Sequence, residues 1–199
     1  MADLFTRAEP LRAWDDVVGE AMACTRCRLS EGRTKVVWGV GRRDADLMLI
    51  GEGPGRDEDR EGEPFVGRAG QLLTKLVEGI GFRRQDVYIA NVVKCRPPNN
   101  RDPQADEIEA CWPFLEAQIA HIDPKVVVTL GNFATKQLLG TKEGITKIRG
   151  REFPFPAGAA VLIPTFHPAA VLRGRGEALA LMRADFVTVK RALGRLGSP

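Results

Sequence analysis

The chain has 199 residues, 44% hydrophobic and 28% charged, with a formal net charge of +3. This length and composition suit one globular domain and exclude a coiled coil, a collagen-like repeat and a disordered chain. No apolar stretch is long enough to cross a bilayer, and acidic residues interrupt the start, where a secretory signal needs an unbroken apolar segment. We therefore expect a single cytoplasmic domain over residues 1–199, with any contact to nucleic acid made by a local basic patch.

Short apolar runs that end in glycine or a polar turn alternate with helical patterns. This alternation is typical of βα units and predicts an α/β fold with a four-stranded parallel sheet. A first helix precedes the first two cysteines. The predicted strands are Ala45–Ile50, Val87–Val93, Lys125–Leu130 and Ala160–Pro164, and the later predicted helices are Ala69–Ile80, Pro103–His121, Asn132–Leu139 and Glu177–Leu196.

Two stretches interrupt this regular alternation. Pro113 cannot continue a regular helix, so we expect the helix around it to kink or restart there. Residues Ile145–Phe155 resemble a small hairpin or an extended excursion before the last strand.

Ligands of open α/β sheets bind beyond the carboxyl ends of the strands. This rule places the predicted site in four loops, which contain the sequences GEGPG, KCRPPNN, GN and TFHPAA. In the first loop, Gly51, Gly53 and Gly55 let a ligand approach the backbone, although turn geometry alone could also require them. The loop meets neither the Walker nor the GxGxxG pattern. Glu52 is placed to orient a water molecule or to accept a ligand hydrogen bond.

Three further side chains are candidates at this edge. Phe65 stands in a glycine-flanked segment before a helix, and its alternative role is that of a core anchor. Asn91 ends an apolar strand and can read a planar amide edge through its donor and acceptor, or hold a neighbouring loop. His167 follows the last strand, whereas His121 lies at the end of a helix, where the dipole favours it.

The four cysteines are Cys24, Cys27, Cys95 and Cys111, with two, 67 and 15 residues between them. Cysteines of a cytoplasmic protein more often bind metal or react than form disulfides. A zinc ribbon would repeat the close pair, and this chain does not. The spacing leaves three alternatives: a zinc site, a [4Fe–4S] cluster and unrelated free thiols.

Together, the motifs GEGPG, PFVGRAGQLL, NVVKCRPPNNR, TLG and FHPAAVLR and the cysteine spacing resemble family 4 uracil-DNA glycosylases over about residues 24–191. The resemblance implies a three-layer α/β/α sandwich with a parallel sheet. It also implies a [4Fe–4S] cluster on the four cysteines and hydrolytic removal of uracil from DNA, which leaves an abasic site in base excision repair.

By residue, the resemblance makes Phe65 the stacking platform for uracil and Asn91 the reader of the uracil edge. It makes His167 the donor toward the ring oxygen of the departing base. Glu52, with the backbone of Gly51 and Gly53, would line the pocket and the water site. Members of the wider superfamily with the strongest activity look to have an aspartate where this chain has Gly53, so Glu52 is the candidate for water activation.

Basic residues near the carboxyl edge predict a phosphate footprint on DNA. They are Arg96, Arg101, Lys142, Lys147, Arg149, Arg151, Arg173 and Arg175. Val171 and Leu172 are candidates to wedge into the space that a flipped nucleotide leaves, the alternative being ordinary helix packing. We expect a prokaryotic, nucleoid-associated monomer that acts on single- or double-stranded uracil-containing DNA, with a sliding clamp as a candidate partner.

Two other classes of protein compete with this interpretation. One is a module that captures uracil in DNA without turnover, as in relatives that bond to the sugar through a histidine in an added loop; this chain has KCRPPNNRDP there and no histidine. The other is an iron–sulfur electron carrier or redox sensor, which would not need Asn91, Phe65 and His167 together.

Overall fold

A computed structural model of the chain describes residues 12–155, 161–174 and 176–197. Within these ranges, six strands form one sheet. In chain order they are β1 (Val40–Gly41), β2 (Leu47–Gly51), β3 (Tyr88–Asn91), β4 (Val126–Leu130), β5 (Phe153–Pro154) and β6 (Val161–Thr165). Their order across the sheet is β1-β3-β2-β4-β6-β5.

Helices cover both faces of this sheet. In chain order they are α1 (Trp14–Met22), α2 (Leu29–Gly32), α3 (Arg56–Glu61), α4 (Arg68–Gly79), α5 (Ala105–Ile122), α6 (Asn132–Leu139), α7 (Ile145–Ile148), α8 (Pro168–Arg173) and α9 (Glu177–Arg195). The four long predicted helices are all present, and each end lies within two residues of its predicted position.

The four predicted strands are the parallel strands β2, β3, β4 and β6. The sheet nevertheless has six strands rather than four, because β1 and β5 pair antiparallel at its two edges. Each of these edge strands has only two residues, too few to produce an alternating pattern in the sequence. Ala160, the first residue of the last predicted strand, lies outside the described residues.

Side chains of the central strands alternate between two hydrophobic cores, one on each face of the sheet. In β2, Met48 and Ile50 join the core shared with α1, α5 and α6, whereas Leu47 and Leu49 join the core shared with α4 and α9. Both faces are therefore buried, which explains why the strand is an unbroken apolar run rather than an alternating one. This arrangement confirms the three-layer α/β/α fold.

The structure tests two local predictions. Of the two outcomes predicted at Pro113, a restart is wrong: α5 continues through the proline, and buried side chains on both sides of it, such as Trp112 and Phe114, hold the helix against the core. The segment Ile145–Phe155 is not a hairpin: it begins with the helical turn α7, and only its end pairs, as β5, with β6.

The parallel topology brings the carboxyl ends of β2, β3, β4 and β6 to one edge of the sheet. The loops that follow these strands therefore face one another. No helix within the described ranges is long and apolar enough to span a membrane.

Candidate active site and cysteine pocket

A cleft of about 410 Å³ opens at this edge of the sheet. Its volume is within the range of small-molecule pockets. Six of the sequence-predicted polar and aromatic site residues line it: Glu52, Phe65, Asn91, Arg101, His167 and Arg173. With Gly131 and Asn132, which follow β4, the cleft joins residues from the ends of all four parallel strands and from the loop before α4.

Gly51 allows the side chains of this cleft to meet. It ends β2 beside Asn91, its partner in the parallel register with β3. A Cβ atom on Gly51 would lie 2.4 Å from Asn91 Oδ1 and 2.7 Å from Phe65 Cζ. Only glycine therefore fits between the amide and the ring without moving one of them.

Asn91 carries an unpartnered acceptor. The residue is only 2% exposed, and no group among the described residues donates a hydrogen bond to its buried Oδ1. Buried polar atoms are nearly always paired, so an orphaned acceptor at a cleft marks a place for a ligand donor.

Phe65 is held in an unusual backbone conformation, with φ = 55°. The first turn of α4 packs against its carbonyl, since a Cβ on Gly70 would lie 1.6 Å from Phe65 O. On the preceding peptide, Arg84 donates a hydrogen bond of 2.7 Å to Pro64 O. These contacts present the Phe65 ring to the cleft, with its centroid 5.7 Å from that of His167.

His167 is the N-cap of α8, and its Nδ1 accepts a hydrogen bond of 3.1 Å from the Ala169 N–H. A ring nitrogen that accepts carries no proton, so the neutral ring carries its proton on Nε2. Burial, and then the charge of Arg173, lower the pKa of His167 to about 4. At neutral pH the residue is therefore an uncharged donor through Nε2.

Glu52 is the titratable group of the GEGPG loop in this cleft. Burial, and then the charge of Asp102, raise the pKa of Glu52 to about 7. The carboxyl group is therefore divided between its acid and its base form near neutral pH, as a general base requires.

The four cysteines line a second pocket, formed by the segment between α1 and α2, the loop after β3 and one face of α5. Cys95 and Cys111 are buried, and none of the four forms a disulfide. Two N–H donors point at sulfur: Arg33 Nη1 lies 3.3 Å from Cys95 Sγ, and Lys94 N lies 3.2 Å from Cys111 Sγ. Such donors are typical of thiolates that bind metal.

Burial raises the pKa of Cys95, and it raises the pKa of Cys111 to about 11. As free thiols these side chains would be protonated, so a thiolate here needs a bound metal. In the described part of the chain, no group of three or more His, Cys, Asp or Glu side chains is arranged to hold a metal ion. All four cysteines nevertheless line one pocket.

Comparison with known proteins agrees with this geometry. Residues 38–193 match the uracil DNA glycosylase superfamily. The chain belongs to this superfamily. The type-4 uracil-DNA glycosylase of Thermotoga maritima is 49% identical over 88% of this chain and 90% of its own length. The type-4 enzyme of Archaeoglobus fulgidus is 46% identical over 93% and 96%. The type-5 uracil-DNA glycosylase of Thermus thermophilus is 30% identical over 94% and 90%.

In this member of the superfamily, the predicted basic residues fall into two groups. Arg101 forms two hydrogen bonds with the buried carboxylate of Glu107, and Arg149 pairs with Asp185 and is only 16% exposed. Both have internal partners, and their assignment as phosphate contacts stays a prediction. The other predicted basic residues that the structure describes are exposed or half-exposed: Arg96, Lys142, Lys147, Arg151 and Arg173. Arg175 lies outside the described residues.

The two wedge candidates also differ. Val171 is 6% exposed and packs in the core beside α4, so it cannot enter DNA without leaving that core. Leu172 is 41% exposed on the outer side of α8. A wedge role for Leu172 therefore stays a prediction that its exposure permits.

Several residues of the cleft were not singled out from the sequence. Glu58 accepts hydrogen bonds from Gly55 N and Val66 N and so ties the GEGPG loop to the Phe65 segment. Its position three residues after the N-cap of α3 is the signal that could have identified it. Gly131 has φ = 98°, and a Cβ there would lie 2.9 Å from His167 Cβ.

Proposed function

We propose that this protein flips uracil out of DNA and hydrolyses its N-glycosidic bond, leaving an abasic site for base excision repair. The observation that carries the proposal is the meeting, in one cleft, of an aromatic ring, an unpartnered buried amide acceptor and a neutral histidine donor. The similarity to type-4 uracil-DNA glycosylases supports the same reaction.

Uracil must leave the base stack before its glycosidic bond can be reached. We assign Phe65 as the surface on which the flipped base stacks. Its strained backbone, with Gly70 packed against its carbonyl, holds the ring in place before the base arrives. A ring held in advance lowers the entropy lost on binding.

Asn91 is assigned the selection of uracil. Its Oδ1 would accept from N3–H, and its amide N–H would donate to O4. Cytosine reverses this pattern, with an acceptor at N3 and a donor at position 4. Because Asn91 is buried, a mismatched pair would leave polar groups unsatisfied, which makes the discrimination strong.

Breaking the glycosidic bond moves negative charge onto the departing base and leaves positive charge on the sugar. We assign His167 Nε2–H as the donor to the developing oxyanion at O2 of uracil. A neutral imidazole suits this role because it stabilises the anion by a hydrogen bond and keeps its own proton. An imidazolium cation in the same place would readily lose its proton.

Glu52 is assigned to the water that attacks the sugar. Its ionised form accepts a proton from that water and lies where it can oppose the positive charge of the sugar. With a pKa of about 7, a substantial fraction of Glu52 is ionised in the neutral range.

The cysteine pocket fits a [4Fe–4S] cluster held by Cys24, Cys27, Cys95 and Cys111. Its donor set is all sulfur, and N–H groups of Arg33 and Lys94 point at two of these sulfurs. When bound, such a cluster would supply four iron–thiolate bonds that join the chain before α2 to the loop after β3 and to α5. The four cysteines are absent from the described lining of the cleft, so the reacting groups belong to the cleft alone.

DNA would lie over the cleft edge. We assign Leu172 as the wedge and Arg173, which lines the cleft, as a phosphate contact beside it. Arg96, Lys147 and other exposed basic residues extend this footprint. Arg101 and Arg149 contribute instead by fixing the loops that carry them, through Glu107 and Asp185.

One experiment decides between excision and binding. Labelled oligonucleotides that carry uracil, hypoxanthine, xanthine or thymine at one position are incubated with the protein, and abasic sites are then cleaved with alkali. We expect cleavage at uracil and none at thymine, in single-stranded and duplex substrates measured separately. Retention of uracil-containing DNA without cleavage would replace the enzyme with a capture module, and neither cleavage nor retention would refute the proposal.

A further inference from the structure

Lys94 is a fully buried lysine between the two sites. It is 1% exposed and is among the largest side chains that the fold buries completely. Among the described residues no carboxylate pairs with its ammonium group, and the groups whose negative charge would act on it are Cys111 and Cys95, once they are thiolates. An ammonium group without a counter-charge is expensive to bury, so its position calls for an explanation.

A polar network holds the Lys94 side chain in one orientation. Nζ donates 2.7 Å to the carbonyl oxygen of Asn91 and 2.6 Å to Gln118 Oε1. The amide of Gln118 in turn donates to Trp38 O and to Tyr88 Oη. Both of its hydrogen-bond acceptors among the described residues are therefore neutral.

The backbone of Lys94 belongs to the cysteine pocket. Its N–H donates to Cys111 Sγ at 3.2 Å, and the next residue is Cys95. One residue thus contacts a sulfur through its main chain and the carbonyl of Asn91 through its side chain. Lys94 therefore links the two pockets directly. On one side it precedes Cys95 in the chain and its N–H bonds to Cys111 Sγ, and on the other side its ammonium group bonds to the Asn91 carbonyl.

The contact with Asn91 acts on the end of β3. The strand holds Asn91 in register with Gly51, and Lys94 fixes the carbonyl that follows. Together they set the plane of the peptide from which the Asn91 side chain projects into the cleft. Loss of the ammonium donor would remove a short hydrogen bond from that buried carbonyl and so weaken the hold on the strand end.

We propose that Lys94 is a positioning residue for base recognition: it holds Asn91 in its reading position, and the thiolates of a cluster in the neighbouring pocket compensate its charge. This inference rests on the proposed function, since it assigns Asn91 to uracil. It makes recognition of the base depend on occupancy of the cysteine pocket, although that pocket takes no part in the reaction.

Arg33 is a matched control within the chain. It also brings a cation to the cysteine pocket, where Nη1 donates to Cys95 Sγ and to Cys24 O. Among its described hydrogen bonds, none reaches Asn91. Replacing either cation therefore removes a positive charge beside the cluster, but only the change at Lys94 also removes the contact with Asn91.

The test compares Lys94→Met, Lys94→Gln and Arg33→Met in the intact, cluster-loaded protein. The measurements are the midpoint potential of the cluster, the binding of free uracil, and KM and kcat on uracil-containing oligonucleotide.

All three variants should lower the midpoint potential, because each removes a positive charge that favours the reduced cluster. Lys94→Met should weaken uracil binding and raise KM about 10-fold, the scale of one lost hydrogen bond to a charged group, with a smaller change in kcat.

The two other variants separate contact from charge. Lys94→Gln retains only a neutral amide donor near the Asn91 carbonyl, so its uracil binding should be weaker than that of the parent and stronger than that of Lys94→Met, and its potential should be shifted. Arg33→Met should keep the parental uracil binding and KM. If Lys94→Met does not fold, the comparison of Lys94→Gln with Arg33→Met decides by the same measurements.

Two results would overturn the inference: parental uracil binding and KM in the Lys94 variants, or an equal loss of binding in Arg33→Met, which would assign the effect to disturbance of the pocket. A parent protein that binds uracil but does not excise it would refute the proposed function instead. The coupling would still be measured by uracil binding and by the midpoint potential.

Discussion

The ring centroids of Phe65 and His167 lie 5.7 Å apart, yet the two residues are expected to act at different stages of the reaction. Stacking on Phe65 is available to the flipped base before the bond breaks. The hydrogen bond from His167 strengthens only as charge develops on the base. An interaction made mainly in the transition state changes rate more than affinity, which gives the two residues separable signatures.

His167→Ala should slow single-turnover cleavage by about 10²–10³-fold, as loss of one oxyanion donor does, and leave binding of a non-cleavable uracil analogue nearly unchanged. Phe65→Ala should weaken that binding by about 1–3 kcal/mol, the scale of base stacking on an aromatic ring, and slow cleavage as well. His121→Ala is the matched control, because that ring is hydrogen-bonded to Arg12 O and is not part of the described lining of the cleft. Parental cleavage by His167→Ala would show that the oxyanion role is wrong.

The raised pKa of Glu52 predicts the pH profile of cleavage. Its ionised form is the base, so the single-turnover rate should fall as pH decreases through about 7. His167 should add no change between pH 5 and 8, because it is already neutral above about 4. The rate is measured from pH 5 to 9 with enzyme in excess, for the parent and for Glu52→Gln. The variant should be slower and lack the limb near neutral pH, and a limb that persists in Glu52→Gln would assign it to another group.

At the scale of elements, the start of α4 acts as a support for the Phe65 segment. Arg84 and Glu58 hold the peptides on either side of Phe65 through Pro64 O and Val66 N. Gly70, in the first turn of α4, lies directly against the Phe65 carbonyl. The conformation of Phe65 is thus determined by contacts with α3, with α4 and with Arg84.

Gly70→Ala should therefore disrupt the site, since its Cβ would lie 1.6 Å from Phe65 O. We expect a lower melting temperature and weaker binding of the uracil analogue. Gly79→Ala, at the other end of the same helix, meets nothing within 4 Å and should be neutral or stabilising by up to about 1 kcal/mol, the difference between glycine and alanine in a helix. Thermal unfolding and analogue binding of the two variants test this, and a Gly70→Ala protein that matches the parent in both would contradict it.

At the scale of the molecule, the cysteine pocket connects distant parts of the chain. It joins the segment between α1 and α2 to the loop after β3 and to α5, and its cysteines are spread along the chain from Cys24 to Cys111. Metal ligation here would restrict the unfolded chain and stabilise the core shared by α1 and α5.

Anaerobically purified protein should accordingly be brown, absorb broadly near 400 nm and contain about four irons per chain. Cys111→Ala should lose iron and unfold at a lower temperature, because the ligand set becomes incomplete. Ser30→Ala serves as control: it removes a hydroxyl from the same pocket, bonded to Cys27 O, without removing a ligand. Iron content, absorbance and melting temperature are measured for all three proteins. Colourless protein with stoichiometric zinc and full activity would overturn the cluster assignment.

The sequence by itself determined the four parallel strands and the four long helices to within two residues of their ends. It also placed the motifs of the cleft at the carboxyl ends of those strands. Both follow from local information, because hydrophobic periodicity, turn residues and the rule that places ligands at strand ends are all visible in contiguous residues.

Only the tertiary structure decided what each side chain contacts. Arg149 and Asp185 are 36 positions apart in the sequence. Their pairing holds Arg149 away from the basic surface in which its position between Lys147 and Arg151 would place it. The same holds for Lys94, whose partner Gln118 lies 24 positions away on α5. The orphaned oxygen of Asn91, the backbone strain at Phe65 and the burial of Val171 likewise depend on packing between elements that are remote in sequence. Burial and partner choice are properties of the assembled core, and a local pattern contains no information about which distant group will satisfy a given polar atom.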